Sequence, residues 1–484
     1  MGISLNPATI LSGQGIDVST LVQQIIASQS GELTVWQGQQ TTLATQDGLL
    51  SGTENNLVNL QTAVAALADP AGALTAQAAT SSNSAVLTAS AQTGATSSTH
   101  QVVVTSLATT GTLYTESVAA GANTSILSSG QTNGDIQLQV GSASGTPFDI
   151  PITQGSNDTL TTLAAYINTQ STTNNWGVNA SVVSDANGSR LALESQNSGT
   201  VGALSIAGNT NTSLTFDAPV GGANAVLTID GVPFSSTTNT VSGAIQGVTL
   251  SLLSQSPGNP VQLTVGPDTT QITNAVNNFV SAYNTVVSTI NSQYVVDPTG
   301  TIPAPPLEGD ISLRSLQSSI LTDAAYAVGG NSGLVNLAAL GINMNNDGTL
   351  TVGSNAAGQT FAQVLSANPS AVQSFFQNAA GTGFANNFNT DLTNLTDPTL
   401  GPLNVDLAQN QAEQADLTTT ITNFETQITA QTTALTAQYD SVNASLQSYP
   451  LLLQEVTETL GTLGSGTSSS GSLISSGPTL TSGL

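Results

Sequence analysis

The sequence predicts an α+β multidomain protein. Its terminal helices pair as an α-helical or coiled-coil leg and bundle, and β-rich head domains are inserted between them. Near the start, Leu43, Leu50, Leu57 and Val64 recur every seven residues, with Leu60 and Leu67 at the partner positions. Near the end, Ile421, Ile428, Leu435 and Val442 repeat that spacing beside Leu417 and Phe424. From about Thr75 to Val265 the apolar residues alternate instead with a period of two. A seven-residue repeat draws one apolar stripe along a helix, and another helix must cover it. The cover can be the chain's own bundle core or a neighbouring subunit, and spacing leaves both open. A period of two marks half-buried strands.

Taken in order, residues 1–70 form an N-terminal helical leg segment. Ser12 to Ile16 is a loop, and Asp17 or Ser19 caps a helix whose apolar face holds Leu21, Val22, Ile25 and Ile26. Gly31 and Gly38 weaken the next stretch, so the long helix is expected from about Gln39. Its polar face is Gln, Thr and Asn, without ion pairs, so it depends on its packing partner. Residues 71–108 with 222–267 read as an inner β-rich domain, and 109–221 as an outer one. In the inner domain, Val102 and Val104 alternate with Val103 and Thr105. Val226, Thr228 and Asp230-Gly231 give a strand and turn, and Val248, Leu250, Leu252, Val261, Leu263 and Val265 continue the alternation.

The outer domain carries Ile136, Leu138 and Val140 on one strand face and Phe148, Ile150 and Ile152 on another. Leu160, Leu163, Ala164 and Ile167 have helical spacing, with Asn157 or Asp158 as the cap. Val178, Ala180 and Val182, then Asn187-Gly188, then Leu191 and Leu193 read as a hairpin. Residues 268–400 form a helical domain expected to pack with the N-terminal helix. Ile272, Val276, Phe279, Tyr283, Val287 and Ile290 give its first helix a broad buried face. A proline-rich loop covers 298–306, and short helices are expected at 311–325 and 359–377 around a turn at Asn346-Asp347-Gly348. Residues 401–460 are the C-terminal coiled-coil helix, with the helix itself at about 404–448 and Pro450 breaking or kinking it. Residues 461–484, mostly Gly, Ser, Thr, Leu and Ile, read as a disordered tail.

Composition excludes several function classes. Charged residues are 6% of the 484, against about 25% in an average domain. Lysine is absent, the arginines are Arg190 and Arg314, and 28 carboxylates leave a net charge of −26. No basic stripe can form, so nucleic acid is excluded as a partner, and anionic membrane surfaces are disfavoured. No run is long enough to span a bilayer, so membrane insertion is not expected. The start lacks the basic region and apolar core of a secretory signal peptide. Without cysteine there are no disulfides or thiolate metal sites. At neutral pH the carboxylates repel one another, and near the sequence pI of 4.1 the net charge vanishes, so the balance fits either an acidic exterior or compositional drift in one lineage.

Candidate chemistry is sparse, and no catalytic, metal or cofactor-binding residues are assigned. His100, the sole histidine, reads as a surface or edge residue at the start of a strand. Asn343, Asn345, Asp347 and Gly348 imitate half a calcium loop, but Ser354 stands where the bidentate glutamate belongs, so the stretch reads as a turn. Arg190 and Arg314 suit structural or intersubunit ion pairs.

The ordered motifs point further. Ser12 to Val18 with Leu21-Val22, Ala78 to Ser90, and Val102 to Val104 with Leu107-Ala108 stand in sequence. Then come Thr159 to Ala164, Ile167-Asn168, Gly177 to Ala180, and Arg190 to Ser195, similar to a module shared by flagellins and hook-associated proteins. The second half adds Asp230-Gly231, Asn239-Thr240, Gly247 to Leu250, Phe279-Val280 and Ala282-Tyr283-Asn284. It continues with Gly309-Asp310, Leu313-Arg314, Leu340 to Ile342, Asp347 to Leu350, Asn368-Pro369 and Phe375-Phe376. In this order the set resembles the bacterial flagellar filament cap family, hook-associated protein 2, over about residues 10–460.

The resemblance implies a non-enzymatic, homo-oligomeric cap at the distal tip of the flagellum. It would prevent flagellin leakage and promote flagellin polymerisation, so that filaments elongate. Export would use the flagellar type III channel and a chaperone, without a cleaved signal. The implied partners are further copies of the chain, flagellin and the filament tip, and hook–filament junction proteins before the filament grows. Ile16, Leu21 and the heptad residues would serve assembly and helix packing. Asp230, Gly231, Gly247, Phe279, Tyr283, Asn284 and Arg314 would be structural motif residues. Family members usually carry many lysines on the terminal helices, and here there are none, so salt bridges to flagellin do not carry over. Another axial protein (a flagellin or junction protein) and a secreted adhesin are the alternatives.

Overall fold

A computed structural model describes residues 17–141, 146–295, 297–301 and 303–464. The loop before Asp17, including Ile16, and the tail from residue 465 lie outside the described residues. The chain divides into two compact units, Met1–Val58, Ser288–Ser318 and Thr393–Leu484 in one, and Asn59–Val287 and Ser319–Leu392 in the other.

Helix α1 (Val18–Gln29) begins where the Asp17 side chain accepts the Thr20 backbone N–H at 3.1 Å. Helix α2 (Gly31–Ala68) starts at Gly31 rather than near Gln39. Each helical glycine costs up to about 1 kcal/mol. Packing in this stretch outweighs that cost, since Trp36 meets the Phe424 ring edge-on with centroids 5.2 Å apart.

Strands β1 (Gln77–Ser81), β2 (Leu87–Ala91) and β3 (Ser98–Ser106) come next. An excursion follows through β4 (Thr110–Tyr114), β5 (Asn133–Val140), β6 (Phe148–Thr153), helix α3 (Leu160–Asn174), β7 (Val178–Asp185), β8 (Gly188–Ser198) and β9 (Leu204–Thr210). The chain returns through β10 (Ala225–Ile229), β11 (Val232–Ser236), β12 (Thr240–Ile245), β13 (Val248–Leu252) and β14 (Val261–Pro267). Strands from before and after the excursion interleave in antiparallel sheets ordered β1-β14-β3-β10-β11 and β12-β13-β2. Val102, Val104, Leu227, Leu250 and Leu263 share their core. In β10 the buried set is Ala225, Leu227 and Ile229, and Val226 of the expected pattern faces outward.

The excursion builds its own core. Sheets β4-β8-β7 and β6-β5-β9 enclose α3, with Leu160, Leu163 and Ile167 against Ile136, Leu138, Leu191 and Leu193. Thr159, not Asn157 or Asp158, caps α3, in a reciprocal box with Thr162. Asn157 and Asp158 instead accept the backbone N–H groups of Thr153 and Gly155 and close the preceding turn.

The helical region holds α4 (Thr269–Ser292), α5 (Ile311–Ala324), β15 (Ile342–Met344), β16 (Leu350–Val352), α6 (Phe361–Ala367), α7 (Pro369–Phe376) and α8 (Phe384–Leu395). The expected helix at 359–377 is two helices, because Asn368 ends α6 and caps α7. Pro369 enforces the break, since its ring disfavours a helical residue before it. Helix α8 adds to the helices expected from the sequence, and its Phe384, Phe388 and Leu392 are fully buried. Phe384 stacks on Phe375 at 5.3 Å and meets Phe279 edge-on at 5.7 Å. Helix α9 (Pro402–Gly464) runs through Pro450, past the expected end and into the start of the stretch read as tail. One proline removes a single hydrogen bond from a helix of 63 residues. Leu451, Leu452 and Leu453, good helix formers, follow it.

The turn between β15 and β16 is held from α4. The Asn284 side chain donates to the Leu350 carbonyl at 2.7 Å and accepts its N–H at 2.6 Å. Tyr283 donates its hydroxyl to the Gly348 carbonyl at 3.1 Å. Asp347 accepts from the Thr349 N–H and hydroxyl, so its carboxylate closes the turn. Asn284→Ala leaves two backbone groups of Leu350 unpaired. It is expected to destabilise this region by about 1–3 kcal/mol, read as a lower urea midpoint with helix content kept.

Candidate functional site: the terminal helix pair

Within the unit that contains the chain ends, α2 and α9 lie antiparallel. Partner numbers rise along one helix as they fall along the other: Trp36 with Phe424, Gln40 with Thr418, Asp47 with Gln414 and Glu54 with Asn404. The polar rungs are 2.8, 2.6 and 3.2 Å long. Helix α1, with Leu21 and Val22 buried, packs on α9 as well.

The heptad residues divide by position. Leu50, Leu57 and Val64 are fully buried, and Leu43 is half-buried. On α9, Ile421 is buried, and Leu417, Phe424, Ile428 and Leu435 are half-buried. Val442 is 45% exposed. Beyond it the helix keeps its apolar residues uncovered, with Leu451 69%, Leu453 64% and Leu460 63% exposed. A groove of ≈ 820 Å³ lies beside the aromatic contact, walled by Ser28, Val35, Trp36, Phe424 and Ile428.

The polar rungs, absent from the expectations above, have a sequence signal of their own. Gln40, Asp47 and Glu54 also recur every seven residues, three before each apolar heptad residue. Where other helix pairs set a lysine opposite a carboxylate, this one sets an amide. Among the described residues the ion pairs are His100 with Asp230 and Arg190 with Asp217. Burial raises the Glu54 carboxyl above the ordinary value, opposed by the hydrogen bond from Asn404. One oxygen each of Asp47, Glu54 and Asp406 is buried without a hydrogen-bond partner. Arg314, in the same unit, sits over the Tyr294 ring at 5.8 Å from its centroid, a cation–π contact.

The remaining motif residues lie in the other unit. Asp230 and Gly231 turn the chain between β10 and β11, both at positive φ (52° and 84°). Gly247 turns β12 into β13 at φ 72°, and a Cβ there would come within 3.1 Å of Ala95. Phe279 and Tyr283 are fully buried. His100 pairs with Leu263 of β14, and its side chain is 21% exposed, as the surface alternative expects. Its Nδ1 lies 2.7 Å from Asp230, and its Nε2 lies 2.9 Å from the Ser98 hydroxyl. The backbone N–H of Gln101, then His100, hold the Asp230 carboxyl below the ordinary range. The order Ser98, His100, Asp230 is that of a nucleophile relay. Here the carboxylate is half-exposed in a turn, and Ser98 also donates to the Thr96 carbonyl at 3.1 Å. The group therefore clamps the β10–β11 turn onto β3.

The chain matches two family descriptions, Flagellar hook-associated protein 2 N-terminus over residues 14–111 and Flagellar hook-associated protein 2 C-terminus over residues 222–449. It is 30% identical over 443 residues to the B-type flagellar hook-associated protein 2 of Pseudomonas aeruginosa, covering 85% of this chain and 87% of that one. It is 27% identical over 361 residues to the flagellar hook-associated protein 2 of Escherichia coli, covering 70% and 74%. The fold is similar to the crystal structure of the D1, D2 and D3 domains of the Escherichia coli flagellar cap protein. That likeness has a TM-score of 0.56 at 24% identity, over 75% of this chain and 99% of the other. With both ends of its sequence matched and one relative aligned over most of its length, the chain belongs to the flagellar hook-associated protein 2 family.

Proposed function

We propose that this chain caps the flagellar filament as an oligomer at the distal tip, retaining flagellin and promoting its polymerisation. The observation that carries the reading is the antiparallel terminal helix pair in a chain of this family. It is a leg with a covered seam along α2 and an uncovered apolar end on α9. Leu451, Leu452, Leu453, Val456 and Leu460 are more than half exposed in the single chain. At roughly 25 cal/mol per Å² such residues favour burial by another subunit. We assign that end to contacts with further copies and with the filament tip. Hook–filament junction proteins precede flagellin as partners, and export runs through the flagellar type III channel with a chaperone. The role is structural rather than catalytic.

Contact with incoming flagellin would be weak and exchangeable, because the outward faces of α2 and α9 carry amides, hydroxyls and scattered carboxylates such as Glu413, Asp416 and Glu425, and no lysine or arginine. Such surfaces offer short-range bonds and no cation for an ion pair. Legs of this kind can leave one site and take the next as flagellin is added.

Deleting the gene is expected to leave cells without filaments and with unpolymerised flagellin in the medium, and the intact gene restores growth. Cells that keep filaments after deletion and lose only surface attachment would identify an adhesin instead. Leu452→Gln with Leu453→Gln is expected to keep the monomer's helix content and melting curve while abolishing oligomers in sedimentation and filament growth in cells. Gln39→Lys, Thr42→Lys and Asn55→Lys place charge on exposed α2 positions and are expected to slow filament elongation in timed fluorescence labelling. Unchanged elongation would remove the exchangeable-contact mechanism.

A further inference from the structure

We propose that Asp323, buried within hydrogen-bonding reach of Asp391, keeps a proton in the folded chain, and that this group, with Glu54 of the helix seam, makes the protein most stable in acidic surroundings. Asp323, near the end of α5, is 5% exposed, and its Oδ2 is buried with no hydrogen-bond partner. The titratable groups that face it are Asp391 from α8, within side-chain hydrogen-bonding reach, and Tyr283 from α4. No cation is paired with it: among the described residues, the ion pairs are His100–Asp230 and Arg190–Asp217. Two ionised carboxylates so placed would repel in a poorly solvated site, and a shared proton turns the repulsion into a hydrogen bond. Burial, then the hydrogen bond and charge of Asp391, push the Asp323 carboxyl far above its ordinary 3.8. The phenol of Tyr283 is raised as well, by burial first and then by the charge of Asp323.

The seam repeats the theme in the other unit. Glu54 and Asp47 each use one oxygen to accept an amide N–H, from Asn404 and Gln414, and bury the other unpartnered. For Glu54, whose carboxyl burial raises, a neutral acid loses less than a carboxylate in such a place. It can also donate a proton to an amide oxygen, which a carboxylate cannot.

The linkage has a definite sign. For Asp323 and Glu54 the folded chain holds the proton more tightly than the unfolded chain. Their contribution is complete below the ordinary values of 3.8 and 4.5 and is lost as pH rises through the raised folded values. Exposed capping and turn carboxylates act oppositely. Asp17, Asp230, Asp347 and Asp397 are lowered below 3.8 by hydrogen bonds, so their support persists until pH falls through those lowered values. The two sets together place the optimum on the acid side of neutrality.

The test is urea unfolding of the full chain between about pH 4.5 and pH 9, in about 0.5 M NaCl to screen repulsion among surface carboxylates. The midpoint is expected to fall as pH rises, and Asp323→Asn to flatten that fall and raise the midpoint at the alkaline end. Asp391→Asn serves as the second variant. Infrared spectra of the wild type near neutral pH should show the C=O stretch of a protonated carboxyl, lost in Asp323→Asn. A wild-type midpoint that is level or rises with pH in salt overturns the proposal. So does an unchanged slope in both folded variants, or the absence of the protonated carboxyl band in the wild type.

Discussion

The scarcity of positive charge is the constraint to which the rest of this structure answers. With 28 carboxylates and two arginines, ion pairing cannot satisfy the acidic groups. The structure gives many of them to the backbone instead. Asp17, Asp268, Asp310 and Asp397 accept N–H groups at helix starts or in the turns that lead into them. Asp69, Asp185, Asp297 and Asp347 close turns in the same way. A carboxylate at a helix start meets unsatisfied donors and the positive end of the helix dipole, so it needs no lysine. The same shortage leaves carboxyl–amide rungs in the seam and a carboxyl pair between α5 and α8. The acidic surface and the buried acids thus have one cause.

Elements are legible in the sequence wherever burial and periodicity agree. The alternation of Val248, Leu250 and Leu252, or of Val261, Leu263 and Val265, could come only from strands with one face covered, and all six are buried. The face of α4 was legible for the same reason. Boundaries were lost where a local rule met a stronger tertiary one. Gly31 and Gly38 argued against helix, and the aromatic contact of Trp36 with Phe424 prevailed. Pro450 argued for a stop, and a long helix carried it. Helix α8 is hard to read in the sequence because Asn and Thr surround its three buried anchors, a composition that suggests a loop. The apolar heptads of the candidate site were visible. The polar heptad of Gln40, Asp47 and Glu54 was not, because residues that form ion pairs elsewhere are replaced by ones whose pairing has no charge signature.

The surface of α9 shows how a helix with so little charge remains well satisfied. Thr418, Thr419, Thr420, Thr422, Thr426, Thr429 and Thr433 each return their hydroxyl to a carbonyl one turn earlier. Threonine lowers helix propensity by a few tenths of a kcal/mol and its back-bonded hydroxyl adds little stability. A run of them is therefore weak as an isolated helix and relies on what covers its apolar side. Along α2 that cover exists. Past Val442 it does not, and Leu451 to Leu460 remain outward-facing within the single chain. A helix whose hydroxyls are already bonded to itself gives up few hydrogen bonds when a partner arrives or leaves. Its binding energy then comes mainly from apolar area, which is non-directional. The uncovered stretch of α9 is consequently suited to contacts made through apolar area.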